Sequence, residues 1–236
     1  MMDFIEGEIL YIDKPLYWSS FRVVRVVRAK LCQKLGVRKL KVGHAGTLDP
    51  LATGVMTLCT GKMTKQIDRL QSETKEYVAG IRLGATTPSF DLETAIDHEY
   101  PTGHITRELV EETLARFTGE IMQVPPRYSA VKVDGKRAYE LARKNKDIEL
   151  KPKLLVIDSI ELVAFGLPDI TIRVICSKGT YIRALARDIG ESLQSGAHLT
   201  TLIRTRVGEV RLEDCLQMEE VDHFLDEQIG LTGKRE

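Results

Sequence analysis

The stretch GHAGTLDPLATG, residues 43–54, is a glycine-punctuated loop that presents one histidine and one aspartate. Its glycines permit backbone angles and close approaches that other residues resist. Pro50 disfavours the α conformation for the residue before it, so Asp49 is expected on an extended or turn backbone. A β-rich run, 55–60, follows the loop. On these residues alone an ordinary turn is a commoner explanation of the Asp-Pro pair than a catalytic site.

On the N-terminal side of this loop the pattern predicts one strand and one helix. Residues 8–13 read as a strand ended by a Lys-Pro pair. Ser19 or Ser20 is a suitable N-cap for a helix of about four turns, and Gly36 would close it. The residues of its buried stripe are Val23, Val24, Val27, Leu31 and Leu35.

Beyond the loop, strands and helices follow one another without strict β–α alternation. The predicted strands are 75–83, 153–163 and 169–176, and the predicted helices are 106–117, 137–145 and 179–193. The chain has no internal repeat and no low-complexity linker. This order predicts an α+β fold with a mixed, mostly antiparallel central sheet.

Composition places the chain among ordinary globular proteins. It has 236 residues, of which 43% are hydrophobic and 29% charged, enough for one large domain with a substantial core. The first residues lack the pattern of a secretory signal, and no apolar run is long enough for a membrane span. The four cysteines are scattered without CxxC spacing. A reducing cytoplasm is therefore expected.

The formal net charge of zero hides a segregation of charge along the chain. Between residues 21 and 42 every charged side chain is basic, whereas the segment after Glu209 is strongly acidic. Such a basic run forms either a face that tracks phosphates or a solvated helix face, and the residues alone leave both interpretations open.

The sequence has no cofactor or metal motif. It lacks the phosphate-binding GxxxxGK[ST] loop, the HExxH zinc motif and the dinucleotide fingerprint. His98, His104 and His223 have no partner at ligand spacing, and surface positions explain them. We therefore expect chemistry that is carried by side chains alone, without metal or cofactor.

The loop 43–54, read together with KEY at 75–77 and CSKGTYIR at 176–183, resembles the bacterial tRNA pseudouridine synthase B family. The resemblance extends over residues 7–208. It implies the pseudouridine synthase fold, a mixed central sheet flanked by helices with the active-site cleft across it. It also implies cofactor-independent isomerisation of uridine 55 in the T-loop of tRNA, with flipping of the target base.

By this resemblance Asp49 is the nucleophile, Arg183 is its guanidinium partner and Tyr77 is the active-site tyrosine. An ionised carboxylate can form or stabilise an intermediate at the sugar or at the base. A guanidinium opposes the rise in carboxylate pKa that burial causes. Tyr77 is placed to stack on uracil and to help take the C5 proton. Taken alone, Tyr77 could equally be a tyrosine of a strand core.

The resemblance also assigns substrate-binding positions. His44 would fill the space that the flipped nucleotide vacates, and Leu202 would pack against the base. Tyr181 belongs to the KGTYIR segment, and Lys14, in the DKP sequence, has a supporting or phosphate role. A loop histidine and a core leucine are the plain alternatives for His44 and Leu202.

A second segment, about 121–152, resembles the part of the family that grips RNA. Arg127 and Lys132 are its candidate phosphate contacts, and tyrosines are interleaved with its basic residues. We expect one catalytic domain over residues 1–212. The remainder, 213–236, is expected to be a short, acidic, helical tail without a full appended RNA-binding domain.

The sequence departs from the family in two further places. Leu16-Tyr17-Trp18 stands where the family commonly has a glycine before its Ser/Thr pair, so the start of the first helix is expected to differ. The run 86–91 replaces the usual Thr-x-Thr-x-Asp pattern and leaves the surroundings of Asp91 open.

Three other functions were weighed against a tRNA synthase. A tRNA-binding folding chaperone would not need Asp49, Tyr77 and Arg183 together. Guide-directed modification of rRNA depends on accessory proteins and an appended domain. A retaining glycosidase needs a second positioned carboxylate, which the loop lacks. The expected partner is the T-arm of tRNA, with no membrane, no obligate protein partner and a monomeric state.

Overall fold

The computed structural model describes residues 2–129, 131–133, 136–138, 141 and 150–230. The chain divides into two compact units. Unit 1 comprises Met1–Lys75 and Ile203–Glu236, and unit 2 comprises Glu76–Leu202.

The elements of the first half of the chain, in order, are β1 (Ile9–Lys14), α1 (Ser20–Leu35), β2 (Val42–His44), β3 (Ala52–Thr60), a 3₁₀ helix (Gly61–Gln66), α2 (Ile67–Gln71), β4 (Lys75–Leu83), β5 (Ala85–Thr86), β6 (His98–Glu99) and α3 (Arg107–Arg116). The elements that follow are β7 (Gly119–Gln123), β8 (Lys132–Val133), β9 (Lys136–Arg137), β10 (Lys153–Gly166), β11 (Asp169–Cys176), α4 (Ile182–Ser192), β12 (Ala197–Val207), β13 (Val210–Arg211), a 3₁₀ helix (Leu212–Asp214) and α5 (Val221–Gly230).

Helix α1 of unit 1 begins and ends where its sequence predicts. The Ser19 hydroxyl accepts a hydrogen bond from the Arg22 amide at 3.1 Å, which satisfies one of the free N–H groups of the first turn. Gly36 closes the helix in the left-handed conformation, with φ at 66°. Val23, Val27 and Leu31 are fully buried. The predicted cap, terminus and apolar stripe are thus confirmed.

The strands of unit 1 pair antiparallel and share a core with two helices. Strand β1 pairs with β3, and β2 lies on the other edge of β3. Helix α1 packs against α5 over this layer. The core residues are Phe4, Leu10, Ile12, Val23, Val24, Val27, Leu31, Met56, Leu58, Met218, Val221 and Leu225.

In unit 2 the strand order is β4, β11, β10 and β7. Strand β10 is antiparallel to both β11 and β7. Strand β4 has the predicted bounds, and Tyr77, Ala79 and Ile81 are buried on one side as expected. Helix α3 is capped by the Thr106 hydroxyl, which accepts a hydrogen bond from the Leu109 amide at 3.2 Å.

Three elements are absent from the prediction. Strand β7 has only five residues, and β12 contains adjacent polar and basic residues, so neither shows the apolar alternation on which prediction depends. The 3₁₀ turn and α2 connect β3 to β4 through a polar stretch. Helix α4 starts later than the predicted residue 179 because Gly179 has φ at 85° and belongs to the preceding turn.

The predicted helix 137–145 is wrong at its first residue, because Arg137 pairs with Lys132 in a short antiparallel ladder. Such a ladder takes up the backbone hydrogen bonds that a helix would need. Ala138 and the residue at position 141 are helical, and the other positions of that segment lie outside the described residues.

The chain therefore has the predicted α+β fold, a mostly antiparallel sheet flanked by helices. The C-terminal segment is helical over α5, as expected. In the described ranges no helix is both long enough and apolar enough to cross a membrane.

Candidate active site

The loop 43–54 lies in unit 1 and enters β3 at a position that only glycine can occupy. Gly54 has φ at 106°, and a Cβ atom there would lie 2.2 Å from the Arg204 carbonyl oxygen. Both facts exclude a side chain. Gly46 also has positive φ, at 102°. The glycines of the loop thus serve the backbone angles and close approaches that the sequence predicts.

Asp49 lies at the exposed bend of this loop. Its carbonyl accepts a hydrogen bond from the Ala52 amide at 3.1 Å, which closes the expected turn around Pro50. One residue earlier, Leu48 is held on both backbone groups by the buried Ser20 hydroxyl, each at 2.9 Å. The carboxylate is partly exposed, on a backbone that is fixed on both sides.

Lys14 is buried and its ammonium group serves the backbone of the loop. The Nζ atom donates to the carbonyls of Pro15 at 2.9 Å, Trp18 at 2.5 Å and Pro50 at 3.4 Å. Burial lowers the pKa of Lys14 to about 8, and the negative charges of Asp49 and Asp13 oppose that shift. This geometry favours the supporting role of Lys14 over direct contact with a phosphate.

Arg204 is a second buried cation at the loop, and sequence analysis missed it. Its Nε donates to the Val55 carbonyl at 2.7 Å and its Nη2 to the Gly46 carbonyl at 3.3 Å. The guanidinium therefore connects the two ends of the segment that carries Asp49. An arginine in an alternating strand such as β12 gives no local sign that it is buried.

His44 is the last residue of β2, opposite Leu58 of β3. Burial lowers the pKa of His44, assisted by the positive charge of Arg204 and opposed by the Gly46 backbone. The imidazole is therefore neutral at pH 7. A neutral, planar ring at this position suits a stacking role better than a charged one.

Arg183 of unit 2 is held in a buried position near the start of α4. Its Nη1 donates to the Ser89 carbonyl at 3.2 Å and its Nη2 to the Tyr128 carbonyl at 2.9 Å. Its Nε lies 3.6 Å from a carboxylate oxygen of Asp91. The guanidinium thus joins two loops of the unit and has an acidic neighbour there.

Asp91 resolves the open question about the run 86–91. It is buried, its carboxylate accepts a hydrogen bond from the Glu93 amide at 2.9 Å, and its carbonyl accepts one from the Thr87 hydroxyl at 2.7 Å. Phe90 adopts φ at 63°, and the Arg187 guanidinium lies 4.9 Å from the centre of its ring. The unusual sequence thus forms a compact turn that presents Asp91 to Arg183.

The other predicted residues of unit 2 occupy two strands and one helix cap. Tyr77 is buried in β4, and Leu202 is partly buried in β12. Tyr181 is the N-cap of α4, where its backbone exchanges two hydrogen bonds with the buried Gln123 amide, at 2.9 and 3.2 Å. Tyr181 is therefore held at the same helix end as Arg183.

The RNA-gripping segment is described in part. Arg127 is exposed, and the neighbouring Tyr128 carbonyl is the acceptor for Arg183. Lys132 lies in β8. Gly135, Tyr139 and Arg143, which the sequence also associates with this segment, lie outside the described residues.

The basic run 21–42 is divided by the acidic helix α5. Lys30 forms an ion pair with Asp222, and Lys34 forms one with Asp226. The arginines nearer the start of α1 are exposed. The run is therefore not one continuous basic face, because its middle is neutralised by carboxylates that lie far away in the sequence.

Unit 1 thus brings together Asp49, Lys14 and His44, and unit 2 brings together Arg183 and Tyr181. The chemistry that these groups offer is a carboxylate on a fixed loop, guanidinium groups for anionic partners and aromatic rings for a base. In the described ranges no group of three or more histidine, cysteine, aspartate and glutamate side chains is arranged as a metal site.

Two family profiles match consecutive parts of the chain. Residues 33–182 match the TruB family pseudouridylate synthase N-terminal domain. Residues 183–230 match the tRNA pseudouridylate synthase B C-terminal domain.

Full-length relatives and solved structures agree with these profiles. A Phocaeicola vulgatus protein named tRNA pseudouridine synthase B is 69% identical over 227 residues, which are 96% of this chain and 97% of the relative. A Bacteroides fragilis protein of the same name is 67% identical over 227 residues, with the same shares covered. A chain in the solved Cbf5-Nop10-Gar1 complex has a TM-score of 0.70 at 29% identity, over 98% of this chain and 58% of that longer chain.

Proposed function

The chain belongs to the TruB family of pseudouridylate synthases, and on that premise we propose that it converts uridine 55 in the T-loop of tRNA to pseudouridine. In this isomerisation the bond from ribose C1′ to uracil N1 breaks and a bond from C1′ to C5 forms. The C5 proton is lost and N1 gains a proton. Nothing is oxidised or reduced, so the reaction needs no redox cofactor.

We infer that Asp49 is the nucleophile. A carboxylate is charged near neutral pH and can form a covalent bond to an electron-poor carbon. The observations that support this role are the fixed backbone on both sides of Asp49 and the partial exposure of its side chain. Lys14, whose pKa the Asp49 charge raises, supplies a nearby positive charge within the same unit.

We assign to Arg183 the task of keeping the Asp49 carboxylate ionised when a base closes the site. Desolvation raises a carboxylate pKa and a guanidinium lowers it. The two carbonyl bonds of Arg183 restrict its rotamers, so little side-chain entropy is lost on pairing. Tyr77 is assigned to stacking on the uracil and to removal of the C5 proton, a role that its buried strand position would hold rigid.

Flipping of the target base costs a few kcal/mol of unstacking. We infer that the neutral His44 ring recovers part of this free energy by occupying the vacated stack, while Leu202 packs against the flipped base. Tyr181, Arg127 and Lys132 are assigned to contacts with the RNA on the side of unit 2. Each assignment extends the position of the residue to substrate that the structure does not contain.

The observation that carries the proposal is the near-complete coverage by close relatives named tRNA pseudouridine synthase B. It favours tRNA over guide-directed modification, because the Cbf5 chain is longer and only 58% of it is matched. A tRNA-folding chaperone without catalysis is the second candidate, and binding alone would be its signature. The fixed Asp49 loop favours the enzyme, since a binder has no use for a rigidly held carboxylate.

The experiment is release of label from tRNA that carries tritium at C5 of its uridines, with purified protein and no added cofactor. We expect release equivalent to one uridine per tRNA, and none from a transcript with cytidine at position 55. Release that persists in the cytidine transcript would place the target elsewhere. Tight binding without any release would establish the chaperone instead.

We also infer that the protein acts in the cytoplasm as a monomer and without an obligate protein partner. All four cysteines are free thiols, which suits a reducing compartment. Light scattering on the active preparation gives the mass directly. A dimer mass, or activity that appears only after addition of a cell extract, would contradict this part of the proposal.

A further inference from the structure

Two exposed aromatic side chains lie beside the Asp49 loop. Tyr17 is 72% exposed and Phe21 is 67% exposed, the highest values among the large hydrophobic residues that the structure describes. Single exposed apolar residues need no explanation, but two aromatic rings within one turn of each other form a patch. The proposed catalytic roles use neither of them.

The backbone at Tyr17 holds this patch against the loop. Tyr17 adopts φ at 65°, a left-handed conformation that favours glycine, and its amide donates to the Pro50 carbonyl at 2.8 Å. A tyrosine therefore occupies a position where glycine would be easier to accommodate. Because the ring buries little surface, it contributes little to folding, and this suggests a role outside the folded core.

Exposed arginines continue the patch along α1. The Arg22 guanidinium lies 3.9 Å from the centre of the Trp18 ring. Phe21, Arg25 and Arg28 follow one another at helical spacing on one face, and all three are exposed. In the part of the chain that the structure describes, no carboxylate pairs with Arg25 or Arg28.

The neighbouring lysines of the same helix behave differently. Lys30 and Lys34 form ion pairs with Asp222 and Asp226 of α5. Positive charge is therefore left available only toward the start of α1, the end that adjoins the Asp49 loop.

We propose that Tyr17, Phe21, Arg22, Arg25 and Arg28, here termed the aromatic–arginine face, bind the RNA strand next to the target uridine. The inference rests on the proposed function and adds a substrate-binding surface to it. The rings of Tyr17 and Phe21 stack on unpaired bases, and the guanidinium groups contact phosphates. Phe21 and Arg28 are separated by about 10 Å along the helix, at 1.5 Å per residue, enough for more than one phosphate.

The chemistry of the face favours RNA over a protein partner. Aromatic rings interleaved with unpaired arginines match bases and phosphates, the two groups that a single strand presents together. No acidic side chain interrupts the chain from Lys14 to Leu48. The hydrogen bond from Tyr17 to Pro50 places the face one residue from Asp49, where the substrate strand must pass.

The first test replaces the rings and follows binding and stability together. Tyr17→Gly with Phe21→Ala should weaken binding of unmodified tRNA by roughly tenfold, because each stacked base contributes measurably to affinity. The melting temperature should stay at the parent value or rise, since glycine accepts the backbone of Tyr17 without strain. KM should rise while kcat stays near the parent value.

The second test compares two variants that remove equal charge from the same helix. Arg25→Gln with Arg28→Gln should lower the slope of log affinity against log salt by roughly 1.4 to 1.8. Lys30→Gln with Lys34→Gln should leave that slope unchanged, because those charges already have partners. The probe is unmodified tRNA in both cases, with nitrocellulose retention as the readout.

Equal slopes for the two charge variants, or parental affinity after loss of both rings, would overturn the face as an RNA-binding surface. Label release by the parent protein is measured on the same tRNA. If the parent releases label and the variants bind normally, only this inference fails. If the parent releases none, the proposed function fails, while loss of binding in the ring variant still supports an RNA-binding face.

Discussion

The two units hold their candidate catalytic residues in different ways. In unit 1 the functional group is Asp49, and the buried cations Lys14 and Arg204 donate to carbonyls of its loop. In unit 2 the buried cation Arg183 is itself the proposed functional group, and it also donates to carbonyls, those of Ser89 and Tyr128. One unit uses cations to position a carboxylate, and the other uses loops to position a cation.

This difference teaches that burial of a charge does not by itself identify a catalytic group. Lys14, Arg204 and Arg183 are all buried and all bond to backbone carbonyls. Substitution separates the roles, because loss of a scaffold cation should reduce stability and activity together. Loss of a functional cation should reduce activity far more than stability.

The largest effect is expected for Arg183→Lys. A lysine keeps the charge but lacks the planar, two-pronged geometry, so turnover should fall by about 100-fold or more. Arg187→Lys is the matched control, because Arg187 lies on the same helix and bonds to the Val124 carbonyl. Single-turnover label release measures both variants. Equal losses in the two would remove Arg183 from the catalytic group.

Next in size is Arg204→Met, which removes the donors to Val55 and Gly46. Two buried acceptors lose their partner, so the free energy of unfolding should fall by about 2–4 kcal/mol. Displacement of the Asp49 loop should lower turnover by roughly ten- to hundred-fold. Arg206→Met removes the same charge from the same strand and serves as control, measured by urea unfolding and label release. Turnover at the parent rate despite the lost stability would separate Arg204 from the loop.

A smaller effect concerns the pH dependence of stability at Lys14. Its folded pKa of about 8 lies below the value of 10.5 for a free lysine. Above pH 8 the folded protein therefore releases a proton that the unfolded chain still binds, and the Lys14 contribution to stability rises with pH up to about 10.5. Relative to Lys14→Met, the parent should gain on the order of 1–2 kcal/mol between pH 7 and pH 9.5. A gain that is absent, or of opposite sign in urea unfolding, would contradict the burial of a charged ammonium.

The smallest effect is expected for Ser20→Ala, which removes both bonds to Leu48. The free energy of unfolding should fall by about 1–2 kcal/mol and turnover should drop several-fold. Ser19→Ala removes the N-cap of α1 at a cost of about 1 kcal/mol but does not touch the loop. Comparable stability losses with a turnover loss only in the first variant would show that the clip serves the loop. The same turnover loss in both would point to α1 instead.

Regular elements were predictable from the sequence because their signals are local. The cap at Ser19, the terminus at Gly36 and the alternation around Tyr77 are each contained in one segment, and the structure has them as expected. Strand β12 was missed because its alternation is interrupted by polar residues. What can be predicted is thus what a residue's own neighbours in sequence determine.

The candidate site was predictable only through the resemblance, and its supports were not predictable at all. Arg204 lies far along the chain from the loop that it holds, and nothing in its own segment marks it as buried. Asp91 lies in a run that departs from the family, so its pairing with Arg183 had no precedent to follow. Ion pairs between α1 and α5 likewise join residues that sequence patterns treat separately.

The central claim is that one carboxylate, Asp49, carries the chemistry on a loop that the rest of unit 1 holds in place. The most direct test is single-turnover label release from tRNA by Asp49→Asn, compared with Asp13→Asn. The control removes the same charge from the same unit, and an asparagine oxygen there can still accept the bond from the Gly54 amide. We expect no detectable release by Asp49→Asn, tRNA affinity within several-fold of the parent, and release by Asp13→Asn near the parent rate. Release by Asp49→Asn at a rate comparable to the control would contradict the account.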